Sequence, residues 1–194
     1  MKNLSVSKDG GETWEAVADK AGGFGCLVSF ADAKTGWFGF GNKFEMTPDG
    51  GATWTGLTLP EDVSKVAAIS LRTPADGYLV DDKGILYTTG DGGRTWSSKT
   101  LGLDSPAIMG FVSGGFVNEV PQVAIRFTDT DNGLVVMGLS GKTSMIALHT
   151  ADGGKSWKEE SLPATLFGAP YISRDGKYVT INKWGEGTTV LKYE

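Results

Sequence analysis

An all-β propeller of short antiparallel sheets is the class this sequence predicts, on three observations. A corner of the form Asp-Gly-Gly-x-(Thr/Ser)-Trp occurs four times, with its aspartates at Asp9, Asp49, Asp91 and Asp152. Intervals of 40, 42 and 61 residues separate them. A repeat near forty is the length of a four-stranded blade, a unit that cannot bury its faces alone. Finally, no stretch carries helical periodicity, while the 29 glycines are about twice the usual share of roughly 7%. Glycine at that density without a Gly-X-Y period signals many tight turns.

The text between corners reads as strand and turn in order. After "SKDGGETW" come the apolar run "CLVSF", the turn "ADAKTG", then "WFGF", "GN" and "KFEMT". The next unit has "VAAISL", "RTPADG", "YLV", "DDKG" and "ILYTT", and the fourth has "QVAIRF", "TDTDNG", "LVVMGL", "SGKT" and "SMIALHT". Each is a β-rich run bounded by Gly, Asp or Pro turns. The last segment, "PYISRDGKYVTINKWGEGTTVLKYE", supplies three strands and two turns. A corner plus an outer strand is what residues 4–18 supply at the other end. The expectation is therefore one domain over 1–194, of four blades or five, each a four-stranded antiparallel sheet. The two termini would close the ring by sharing a blade, which removes an exposed edge. "LSVS" and "TTVLKY" compete for one strand position, so one copy is surplus. Residues 102–121 account for the long interval and read as an inserted loop or hairpin. If one chain does not close the ring, a homodimer would complete it.

The repeated corner is structural chemistry. An aspartate in a tight turn accepts backbone N–H bonds and fixes the turn. The glycines accept positive φ, a hydroxyl caps a neighbouring backbone group, and the tryptophan swings under the blade. Burying that ring is worth at least 1.5–3 kcal/mol. One aspartate per blade spreads the four around the rim, so they are expected not to converge as acid and base.

These corners resemble the Asp-box, or bacterial neuraminidase repeat. It is matched at Ser7-Asp9-Gly11-Thr13-Trp14, Thr47-Asp49-Gly51-Thr53-Trp54, Thr89-Asp91-Gly93-Thr95-Trp96 and Thr150-Asp152-Gly154-Ser156-Trp157. The fuller unit, Phe-x-Asp followed by Gly-(Trp/Tyr) and the box, is most similar to the photosystem II stability/assembly factor family. Phe30-Asp32-Gly36-Trp37 and Phe127-Asp129-Gly133 carry it best, and Asp76-Gly77-Tyr78 is a weaker copy. The resemblance implies a non-enzymatic scaffold that escorts another protein outside the cytoplasm (periplasmic, lumenal or secreted). The N-terminus "MKNLSVSKDG" has no signal-peptide core, so a leader is expected to be missing from this sequence.

Sialidases also carry the box, and their site, by resemblance, needs three convergent arginines and a Tyr–Glu pair. This chain has four arginines, and Arg94 is the variable residue of a box. Glycosidases need two carboxylates flanking one bond, and nothing in the spacing pairs Asp32, Asp76, Asp81 or Glu119. "GLSGKT" lacks the first glycine of a phosphate loop, and "DTDNG" lacks the closing glutamate of a calcium loop. One cysteine, Cys26, and one histidine, His149, make no thiolate zinc cluster or multi-histidine metal site. No catalytic residue, metal or cofactor is therefore assigned.

What remains is surface. First strands line the channel of a propeller; Arg72 and Arg174 occupy equivalent slots, one residue beyond the first strand of their blades, and Arg126 lies on that strand. They form a candidate cationic rim for a partner's carboxylates. Trp37 and Trp184 belong to no box; they are expected to pack within the blades or, if exposed, to form the candidate aromatic platform. A net charge of −5 argues against nucleic acid, which demands a basic face. No apolar run is long enough for a helical membrane span. The expected partner is another protein. The runner-up reading is a carbohydrate-binding or glycoside-hydrolase module of a secreted protein.

Overall fold

The computed structural model describes residues 2–22, 26–103, 108, 122–139, 144–162, 168–183 and 187–193. All regular elements among them are strands, seventeen in chain order. Strands β3 (Leu27–Phe30), β4 (Gly36–Phe40), β5 (Lys43–Thr47) and β6 (Thr55–Leu57) form one antiparallel sheet. A second holds β7 (Val66–Leu71), β8 (Gly77–Asp81), β9 (Ile85–Thr89) and β10 (Ser97–Thr100). A third holds β11 (Val123–Phe127), β12 (Asn132–Met137), β13 (Ile146–Ala151) and β14 (Lys158–Ser161). The fourth has β15 (Ala169–Ile172), β16 (Tyr178–Lys183) and β17 (Gly187–Lys192), and β1 (Lys2–Val6) pairs with β2 (Glu15–Gly22) as a separate hairpin.

Each sheet is a blade. The first strands β3, β7, β11 and β15 pack side by side in that order and together line a common cavity of about 360 Å³. This is the predicted propeller. Its radial order is legible in the polarity of the strands. The second strands read as near-continuous apolar runs: every residue of β8, "GYLVD", is buried, since neighbouring blades cover both faces. The outer strands β10, "SSKT", and β14, "KEES", face solvent along most or all of their length.

Aromatic rings join the blades. Tyr78 and Phe127 stack with centroids 3.9 Å apart and planes 3° off parallel, and Trp37 meets Trp96 at 5.7 Å. Ring contacts of this kind add to plain burial. Ser29 Oγ accepts from the Leu71 backbone N–H at 2.8 Å, tying the first two complete blades together.

The ends differ from expectation. Among the described residues β1 pairs only with β2, and β17 only with β16, so no ladder shares a blade between the termini. The reason is positional. β1 runs into a box and an outer strand, which is the third place of a blade, and β17 already fills the third place of its own. Where β15 comes round to β3, the described link is the Arg174 guanidinium donating to the Ala31 carbonyl at 3.2 Å. Of the expected insertion at 102–121, Gly102, Leu103 and Ile108 are described, and Ile108 bridges to Leu139. The rest lies outside the described residues.

Candidate partner-binding rim and channel

The boxes decide what the aspartates can do. In the second, Asp49 Oδ1 accepts from the Thr47 hydroxyl at 2.9 Å and the Thr53 backbone N–H at 2.8 Å, and Oδ2 from the Thr53 hydroxyl at 2.6 Å. Thr47 Oγ1 accepts in turn from the Gly51 N–H at 2.7 Å. Gly50 and Gly51 sit at φ 74° and 96°, a region side chains avoid. Asp9, Asp91 and Asp152 repeat this pattern, each in its own sheet. The hydroxyl bond, first, and the backbone N–H, second, hold all four carboxyls well below the usual carboxylate range. Each carboxylate is consumed by its own main chain.

The three arginines separate into two kinds. Arg72 ion-pairs with Asp76 at 2.7 Å, so its charge is neutralised within its own turn. Arg126 and Arg174 come together: Arg126 Nε donates to the Arg174 carbonyl at 3.3 Å. Neither has a carboxylate within salt-bridge distance among the described residues. Arg126 is half-buried, and burial first, then the neighbouring Arg174 charge, pushes its pKa down, while Tyr171 opposes this. Asp32 feels the Arg174 charge, but no described carboxylate closes an ion pair with either guanidinium, which leaves both able to take an anion.

Sequence reasoning missed the apolar half of this site. Val28, Phe30 and Tyr171, on β3 and β15, are 53%, 40% and 62% exposed and line the channel together with Arg126. No carboxylate is among the described lining residues. The available signal was an apolar residue on the open face of a first strand, as in "LVSF" and "APYI". The aromatic platform needs correcting. Trp37 is fully buried with its ring beneath Gly77, because the second strand lies between two blades and has no free face. Trp184 lies outside the described residues. Among those residues, no group of three or more His, Cys, Asp or Glu side chains could hold a metal ion, and no helix could cross a membrane.

The repeated corner and its blade find their counterpart in the family of the photosynthesis system II assembly factor YCF48, whose profile matches residues 52–177. The chain belongs to this family. It is 24% identical over 119 residues to the photosystem II assembly lipoprotein Ycf48 of Synechococcus sp. (strain CC9902), covering 61% of this chain and 30% of that protein. Among solved structures it resembles YCF48 bound to D1 peptide, at a TM-score of 0.55 and 22% identity, over 87% of this chain and 53% of the other. YCF48 from Cyanidioschyzon merolae gives 0.59 at 20% identity, over 96% and 58%. A GH74 xyloglucanase from Xanthomonas campestris gives 0.60 at 15% identity, over 87% and 29%. These structural likenesses show the propeller fold. The chain spans under a third of the curated relative and just over half of the two YCF48 structures.

Proposed function

We propose that this chain is a non-enzymatic protein-binding scaffold of the YCF48 type, and that Arg126 and Arg174 form its docking rim. The observation that carries this reading is the adjacency of two guanidiniums, neither ion-paired among the described residues, to an exposed apolar channel wall. That combination suits a peptide offering a carboxylate beside an apolar side chain, with charge-assisted hydrogen bonds setting register. One structural relative is described as bound to D1 peptide, and a photosystem polypeptide is the partner class proposed here. A relative named as a lipoprotein supports an extracytoplasmic location. A glycan partner has weaker support, since the buried Trp37 offers no stacking platform.

Fluorescence anisotropy with a labelled D1-derived peptide and a labelled acidic peptide tests the proposal. Binding should weaken with added salt. Arg126→Ala and Arg174→Ala should each weaken it about tenfold, while Arg72→Ala leaves it within about twofold. Binding indifferent to both rim arginines, or turnover of a glycan substrate, would overturn it.

A further inference from the structure

The crossover from the β3–β6 blade to the β7–β10 blade, residues 58–65, is fastened to the turn between β8 and β9. Tyr87 donates to the Asp62 carboxylate at 2.8 Å, Lys83 Nζ to the Asp62 carbonyl at 2.9 Å, and Ser64 Oγ to Asp82 at 3.0 Å. The Asp82 N–H adds a backbone bond to the Lys65 carbonyl at 3.0 Å. Of the three side-chain donors, Lys83 and Ser64 are exposed and Tyr87 is buried. Beneath the crossover, Val63 packs with Phe44, Val66, Leu79 and Tyr87 in one buried cluster.

Asp81 lies under this fastening. Leu79 on β8 pairs with Tyr87 on β9, and Asp81, two residues on, shares their face as a diagonal neighbour of Tyr87. It is fully buried. Its Oδ1 is taken by two backbone N–H groups of its own turn, and its Oδ2 has no partner among the described residues. Tyr87 thus has one proton and two carboxylates, Asp62 and Asp81, that both raise its phenol. The other charged groups around Asp81 are Asp82 and Lys83 on its turn, of which Asp82 opposes its ionisation and Lys83 favours it, and Lys65 on the crossover. β7 carries no titratable side chain. On β5, Phe44 faces this cluster, and its neighbours Lys43 and Glu45 alternate to the other face.

We propose that Asp81 is a pH-operated latch on this crossover, working through the single proton of Tyr87. Neutral, Asp81 donates its own proton to the phenol oxygen, Tyr87 keeps donating to Asp62, and the crossover stays down. On ionisation the Asp81 proton leaves to solvent, and the buried anion draws the phenolic proton to itself. Asp62 then loses its buried anchor, the two exposed bonds hold too weakly alone, and Val63 lifts from its cluster. Burial raises the Asp81 pKa in the closed state. The latch is therefore fully shut below the ordinary carboxylate value and opens as pH rises through the raised one. Asp81 ends β8 at the opposite end from the Arg72–Asp76 turn, so the latch is independent of the docking rim.

Hydrogen–deuterium exchange of the 194-residue chain from about pH 4 to about pH 8, corrected for intrinsic exchange at each pH, reads this local opening. Protection of the 58–65 amides should fall as pH rises, by about tenfold for each pH unit that closing adds to the Asp81 pKa. The amides of β12 should stay protected throughout. Asp81→Asn, whose amide stays neutral and offers an N–H to the phenol, should keep the crossover protected and flatten its response. Tyr87→Phe should leave the crossover poorly protected and equally flat. Asp82→Asn, which touches only the exposed Ser64 bond, should keep the pH response of the parent. Crossover protection in the parent that is constant over this range, or that falls on acidification, overturns the proposal. So does a response that survives in Asp81→Asn or disappears in Asp82→Asn.

Discussion

Tyr87 donates its phenolic proton to the Asp62 carboxylate at 2.8 Å, and this bond ties the segment between the first two complete blades to the third strand of the second. Tyr87 is 2% exposed. Burial first, then the bond to Asp62, raises its phenol far above the ordinary value of 10.0, so it is a donor at every relevant pH. Removing the hydroxyl leaves the ring and its packing in place and hands the exposed Asp62 carboxylate to solvent. Tyr87→Phe should cost about 1–2 kcal/mol. Urea denaturation should show an earlier midpoint at unchanged slope, and an unchanged midpoint would mean that water replaces the bond.

The boxes predict acid sensitivity. Folding lowers the carboxyl pKa of Asp49 below its ordinary 3.8, and the other three box aspartates move the same way. The folded chain thus resists protons that the unfolded chain binds. The stabilisation is complete above about 3.8 and is lost as pH falls through the lower folded values. Denaturation midpoints should hold steady from about pH 7 to 5 and fall steeply below 4. Asp49→Asn should be less stable than the parent at neutral pH and lose less on acidification. Parallel declines in the two proteins would remove Asp49 from the acid response.

How far the sequence reveals the molecule depends on the distance over which a feature is encoded. Each box is closed within four residues, so its turn, its glycines at positive φ and its consumed carboxylate follow from the local string. The blade order followed from box spacing. The arginines did not, because their fates depend on neighbours. Arg72 finds Asp76 four residues away, a pairing that grouping the three on one rim overlooked. Arg126 reaches Arg174 across 48 residues and Arg174 reaches Ala31 across 143, contacts that exist only once the ring has formed. Trp37 packs within the blades and is lost as a platform for a related reason: a second strand's exposure is set by the adjacent blade.

Trp37 also sets a limit on glycine. A Cβ at Gly77 would sit 2.0 Å from the Trp37 ring, and that ring is fully buried between blades. Neither strand can retreat without opening the interface. Gly77→Ala should destabilise by about 3 kcal/mol through overpacking. Gly56→Ala, where a Cβ would meet nothing within 4 Å, should stay within about 0.5 kcal/mol. Thermal melts of the two variants side by side distinguish crowding from a general intolerance of alanine. Equal melts would mean that the blades can slide apart.

Asp81 predicts the opposite pH behaviour from the boxes. It is fully buried, and its Oδ1 accepts from the Lys83 and Ile85 backbone N–H groups at 3.0 and 2.8 Å. Its Oδ2 has no hydrogen-bond partner among the described residues. Desolvation, only partly offset by the Ile85 and Lys83 bonds, raises its pKa above 3.8, and the Asp82 charge adds to this. Asp62 faces it across the Tyr87 hydroxyl, and both carboxylates raise the phenol. The folded chain therefore keeps a proton that the unfolded chain releases. Its contribution is full below about 3.8 and is lost as pH rises through the folded value. Asp81→Asn keeps the Oδ1 acceptor and removes the buried charge, so it should stabilise the protein at pH 7 by on the order of 1 kcal/mol. That advantage should shrink as pH falls through the raised folded value and be lost below about 3.8. Chemical denaturation of parent and variant at both pH values measures it, and a difference constant with pH would mean that Asp81 carries the same charge folded and unfolded.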